Sequence, residues 1–241
     1  MMKSKLLNSL ILAALAVPGV AMAEDSPFSG NVSLTTDYLY RGVTQTDHRG
    51  AIQGGFDYAN PNGVYAGVWG SNISWLQDGG SYTAGASLEL DTYAGYRNSF
   101  AEDFSYDVGF LRYNYSGELV PGTPTASTNE IYGLIGWKWI TAKYSYSLGN
   151  LFGYAESSGS GYFDLTGTYT LEGPAVDLSA HYGKQNVAGE VAGVSNDQYS
   201  YADYNVKAAK ALGSYTWAFM ISKTNVDGDS ARGVLSVSHS M

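Results

Sequence analysis

The sequence predicts an all-β fold: a transmembrane up-and-down antiparallel β-barrel of 12 strands, following a cleaved signal peptide. Three features predict it. Side chains alternate apolar and polar with period two from Gly30 to Met241. The links between the alternating segments are short and long by turns. Bulky aromatic and aliphatic residues share one parity while most charges share the other. Period two is the signature of a strand with one wet and one dry face, and in lipid only a closed sheet satisfies every strand's backbone groups.

The chain is divided into a signal peptide, 1–23, and a barrel, 24–241. Lys3 and Lys5 form a basic start, Leu6 to Val17 an apolar core, and Ala21-Met22-Ala23 a small-x-small cleavage site that leaves Glu24 as the mature start. The mature 218 residues carry a formal charge of −11, which excludes nucleic acid as a partner of the usual phosphate-neutralising kind. Charged residues make up 15% of the chain, below the roughly 25% of soluble domains. No cysteine is present, so thiol catalysis, cysteine metal sites and disulfides are absent.

The 12 segments are 30–41, 50–59, 63–74, 82–96, 103–115, 129–138, 140–149, 161–171, 175–183, 199–210, 213–223 and 232–241. In the first, Val32, Leu34, Thr36, Tyr38 and Tyr40 share a face, opposite Asn31, Ser33, Thr35, Asp37 and Arg41. Outward apolar faces are clearest at Phe104, Tyr106, Val108 and Phe110, at Ile140, Ala142, Tyr144, Tyr146 and Leu148, and at Tyr215, Trp217, Phe219 and Ile221. Short links such as Asn60-Pro61-Asn62 and Glu172-Gly173-Pro174 mark one end of the barrel, with both termini there, in the periplasm. Longer links, for example Gly42 to Arg49 and Ser116 to Thr128, mark the outer end. Aromatic girdles are expected from Tyr38, Tyr40 and Trp75 at the loop end and from Tyr58, Tyr96, Trp137 and Trp139 at the turn end. A soluble barrel would show the same alternation, but the bulk of the apolar faces favours lipid.

The runs Val32–Asp47 (VSLTTDYLYRGVTQTD), Ala51–Trp75 (AIQGGFDYANPNGVYAGVWGSNISW) and Leu88–Arg97 (LELDTYAGYR) resemble the TorF family of Gram-negative outer-membrane porins. The resemblance is close over the first 70 or so mature residues and loose over the rest. It implies an outer-membrane location and a pore, and no catalytic residue. One departure is the final residue, Met241, where such barrels commonly carry an aromatic.

The inward parity collects Asp37, Glu89, Asp91, Asp107, Asp164, Asp177 and Asp203 against the fewer basic residues Lys143, Lys207 and Arg41, with His181 on the same side. A carboxylate-rich lumen concentrates cations. The expectation is therefore a porin-like channel for small polar solutes with a weak cation preference, in contact with outer-membrane lipid and lipopolysaccharide, with no cofactor and no metal. Homo-oligomer formation is left open. The alternative is a barrel plugged by ion pairs among these same residues, serving as a structural or surface-receptor protein. A hydrolase ranks third: Asp177, Ser179 and His181 share a strand face, but residues two apart sit about 6–7 Å from one another, too far for a proton relay. Asp227-Gly228-Asp229 reads as a turn rather than a calcium loop.

Overall fold

The computed structural model describes residues 26–241; the expected signal segment and its cleavage point lie outside them. Twelve long strands close into one antiparallel barrel: β1 (Phe28–Thr35), β2 (Ala51–Ala59), β3 (Val64–Asn72), β4 (Leu88–Ala101), β5 (Phe104–Tyr115), β6 (Thr128–Trp137), β7 (Ile140–Ser147), β8 (Gly161–Leu171), β9 (Val176–Asn186), β10 (Tyr201–Leu212), β11 (Tyr215–Thr224) and β12 (Arg232–Ser240). Every strand pairs with its neighbours in sequence, and β1 pairs with β12, from Asn31 opposite Ser240 to Thr35 opposite Ser236. Closure leaves no free sheet edge.

The outer surface follows the predicted parity. Val108 and Phe110 of β5, Ile131 and Ile135 of β6, Trp217 and Phe219 of β11 and Leu235 of β12 are all exposed. A surface so apolar is stable only against hydrocarbon. No helix among the described residues is long and apolar enough to cross a membrane. At the turn end Trp137 and Trp139 are exposed and Tyr96 packs on Tyr106, as predicted; Phe28, not predicted there, stacks on Phe56 and tilts against Tyr58.

Two expectations need correction. The first strand stops at Thr35, not at residue 41, and Tyr38 and Tyr40 are not girdle residues. Tyr38 is buried inside the barrel against Trp69, their rings 5.5 Å apart, and Tyr40 packs inward on Tyr113 and Phe152. Trp75 likewise packs on this interior cluster, in a one-turn helix, Trp75–Asp78. The fourth strand begins at Leu88 rather than 82, because Tyr82–Ala84 pairs with Glu118–Leu119 across the loops. In both places the period-two pattern runs past the end of the strand into loops that are themselves extended.

The interior is divided by side-chain size. Inward positions of β3 to β6 carry Tyr65, Trp69, Tyr93, Leu111, Tyr113 and Tyr132, which join Tyr38, Ile73, Leu76 and Tyr82 from the loops in one aromatic core. Inward positions of β10 to β12 carry mostly small side chains: Ala209, Ala211, Thr216, Ala218, Ser236, Ser238 and Ser240. Large rings fill their half of the lumen, while the small inward side chains of β10–β12 stay part-exposed in a crescent along the other.

Candidate functional site

The segment following β1 decides what the interior can do. Instead of extending outward, residues 36–50 turn back into the barrel as a small hairpin in which Leu39–Tyr40 pairs with Val43–Thr44. Its two-residue tip is Arg41-Gly42, both at positive φ (48° and 78°), as a type I′ turn requires. Asp37 fastens the base: it accepts hydrogen bonds from Thr44 Oγ1 (2.6 Å) and Thr46 Oγ1 (3.1 Å), and its Oδ2 lies 3.0 Å from His48 Nδ1. Asp37 is thus a buried clamp of this loop rather than a residue of the strand wall.

The tip crosses the lumen. Arg41 donates from Nη2 to both oxygens of Glu130 on β6, at 3.0 and 2.8 Å, and from Nη1 to Gln185 Oε1 on β9 at 2.7 Å. Its guanidinium also lies over the rings of Tyr40 and Tyr162, 4.8 and 4.3 Å from their centroids. The side chains of Arg41 and Glu130 are 6% and 2% exposed, so this is a desolvated ion pair, two-pronged at the carboxylate only, with a single guanidinium nitrogen bonding both oxygens. Gly42 sits against β10 and β11: a Cβ there would lie 2.6 Å from Asp203 Cβ and 2.9 Å from Thr224 Cγ2. Only glycine fits, on both conformation and space. Gly42→Val should therefore expel the tip without touching Arg41, read as new tryptic cleavage after Arg41 in the detergent-folded protein; resistance equal to the parent would show that the tip does not need this seat.

Below the hairpin, polar groups are tied into networks. Tyr65 donates to Asp107 Oδ1 at 2.5 Å and hydrogen-bonds Tyr132, while Lys143 stands 4.2 Å over the Tyr132 ring and Arg97 4.8 Å over that of Tyr65. Tyr93 donates to Asp57 at 2.6 Å. Across the lumen, His181 Nε2 lies 3.0 Å from Asp203 Oδ1 and its Nδ1 lies 3.0 Å from Thr166 Oγ1 and 3.5 Å from Asp164 Oδ2; Tyr162 donates to Asp203 at 2.9 Å. His181 is thus held between two aspartates of neighbouring strands, not in a relay with Ser179 and Asp177. Ser179 bonds Thr168, and Asp177 accepts from Thr170 at the turn end.

The expected inward residues Glu89, Asp91, Asp107, Lys143, Asp164, Asp177, His181, Asp203 and Lys207 all occupy inward strand positions. They do not form one lining. Glu89 and Asp91 are 1% and 0% exposed within the filled half, and both Asp91 oxygens lack a hydrogen-bond partner among the described residues. Lys207 and Asp177 face the open crescent. Sequence reasoning missed Glu130, Asp57 and Arg97. Glu130 had a usable signal, since it opens an alternating segment on the inward parity; its pairing with a loop arginine had none. Among the described residues no group of three or more His, Cys, Asp or Glu is arranged to hold a metal ion.

Solved structures with this architecture include a KdgM porin in complex with disordered oligogalacturonate, at TM-score 0.55 and 10% identity over 88% of this chain and 98% of that one. A structure from work on in-meso crystallization of membrane proteins gives TM-score 0.53 at 9% identity, covering 89% of this chain and 83% of that one. OprD from Pseudomonas aeruginosa gives TM-score 0.43 at 15% identity, covering 89% of this chain and 66% of the larger protein. At such identities the likeness of the first two is one of fold. No curated protein matches the sequence. A family model described as a bacterial protein of unknown function, Gcw_chp, matches residues 21–239, and the chain belongs to that family.

Proposed function

We propose that the chain is an outer-membrane channel of the TorF type for small polar solutes, weakly cation-preferring, whose outer end is closed by the loop hairpin in the conformation described. One observation carries the reading: the inward parity holds an excess of carboxylates and a row of small side chains along β10–β12, and among the described residues the loop hairpin reaches across the outer end of the lumen to β6 and β9. Even without Glu89 and Asp91, which lie in the filled half, inward acids (Asp57, Asp107, Asp164, Asp177, Asp203) outnumber the inward bases not engaged with Glu130 (Arg97, Lys143, Lys207, Arg232). Such a wall raises the local cation concentration. The porin named in the comparison is reported with an acidic oligosaccharide; the acidic lumen here favours cations and neutral solutes instead.

Planar-bilayer recordings in a salt gradient test the selectivity. A reversal potential shifted toward the cation side is expected, and Asp177→Lys should move it toward zero. A clear anion preference of the parent protein would overturn the claim.

A second reading has a specific observation behind it. The aromatic core, with rings from β3 to β6 in the filled half of the lumen, would seal the barrel whether or not the hairpin is docked, leaving it a surface receptor or structural protein. Liposome swelling with graded sugars and amino acids separates the two, since a sealed barrel gives no swelling with or without its hairpin.

A further inference from the structure

Above the hairpin, at the loop end, lies a cavity of about 370 Å³. We propose that it is a binding site for a neutral, ring-shaped, hydroxyl-rich molecule, a sugar of the pyranose type. This deepens the channel proposal by naming a solute class, but binding is measured without conduction, so either can fail alone.

The walls are rings. Trp75 and Tyr115 meet edge to face at 5.6 Å, Tyr40 and Phe152 likewise at 5.5 Å, and Tyr154 and Tyr199 lie tilted at 4.9 Å. The volume is in the range of small-molecule sites, and such sites combine apolar walls with a few placed polar groups. Here the placed groups are uncharged. The hydroxyls of Tyr154, Tyr199 and Tyr201, all lining the cavity, make no hydrogen bond to another described residue, and Gln45 uses only its amide nitrogen, on Val43 O. Burial, then the neighbouring Tyr199, pushes the Tyr154 hydroxyl above its ordinary pKa, so it stays a donor.

Among the described residues lining it the one charged residue is Arg41, and its guanidinium is already committed to Glu130 and Gln185. An anionic ligand would therefore find no free cation, and a cationic one no free carboxylate. A purely apolar ligand would strand the tyrosine hydroxyls away from water with no partner in its place. A pyranose answers both conditions: its C–H face lies flat on an aromatic ring, and its hydroxyl edge bonds tyrosine and glutamine.

Intrinsic fluorescence of the detergent-folded full-length barrel provides the test, because Trp75 is in the wall. Glucose, maltose, glucuronate and phenol are titrated as probes. Saturable change is expected with glucose or maltose, abolished by Trp75→Phe as a reporter control, and at least tenfold weaker affinity with glucuronate and with phenol. Tyr154→Ala/Tyr199→Ala should weaken sugar binding at least tenfold. Should that variant fail to fold, judged by heat-modifiable migration, Tyr154→Phe/Tyr199→Phe keeps the rings and should still weaken it several-fold. The proposal is overturned if no sugar gives a saturable signal, if the signal persists in Trp75→Phe, if the phenylalanine pair binds as well as the parent, or if glucuronate or phenol binds as tightly as the neutral sugars.

Discussion

If the barrel is the channel proposed above, Arg41→Ala should raise its mean conductance in planar bilayers tenfold or more. The docked hairpin is held chiefly by the Arg41–Glu130 pair, the Arg41–Gln185 bond and the ring contacts of the same guanidinium. Removing one partner of a buried ion pair is worth about 3–5 kcal/mol, because the other is left charged and desolvated. The six-residue hairpin Leu39–Thr44 has only two paired positions on each arm, and the Asp37 clamp fastens its base rather than its tip. Undocking returns Glu130 to water, so the penalty falls on the closed state and not on the barrel. Since about 1.4 kcal/mol is a factor of ten, even half of the expected loss shifts the closed–open balance substantially. Arg41→Lys should fall between the two, because an ammonium retains charge but not the second planar nitrogen that reaches Gln185 while the first holds Glu130. Conductance of Arg41→Ala unchanged from the parent, with the hairpin tip shown to be released by proteolysis, would mean that the barrel is sealed elsewhere and would favour the receptor reading.

Val108→Arg should stop the protein from assembling. Val108 is exposed on the outer face of β5, pairing with Tyr96 of β4 and Gly133 of β6, between the turn-end aromatics Phe104 and Tyr106 and the loop-end residue Arg112. An arginine near the bilayer midplane of a barrel costs about 2–4 kcal/mol, falling toward zero at the interfaces. Arg112 illustrates the depth dependence: it also points outward, but its guanidinium bonds Asn114 (2.6 Å) and Asn129 (3.0 Å) near the loop end. Heat-modifiable migration of the outer-membrane fraction reads the result. Val108→Arg should lose the folded band, and Arg112→Leu should keep it. If Val108→Arg folds as well as the parent, this face does not meet acyl chains and the transmembrane reading fails with it.

How much of this was visible in the sequence varied along the chain. Strand count, order and parity were all legible, because each depends on a pattern of period two and on turn residues at short intervals, and neither needs a partner to be recognised. Phe104, Tyr106, Val108 and Phe110 face outward as the alternation says, and His181 forms no relay with Ser179 and Asp177 because strand geometry forbids it. Tyr38 and Tyr40 continued the alternation and were assigned to the same face as Val32 and Leu34; the structure turns them inside.

The reason is that alternation reports which side chains share a face, not where the face ends or what lies across from it. A closed sheet with a greasy exterior and an acidic interior follows from alternation alone, since burial and backbone satisfaction act locally along each strand. Only the tertiary structure decided whether that interior is open. The bond between Arg41 and Glu130 joins residues 89 positions apart, the seat of Gly42 is built by Asp203 and Thr224 from strands still further along the chain, and the aromatic half-core gathers rings from several strands and loops. Those contacts exist only after the barrel has closed, when distant side chains compete for the same enclosed space.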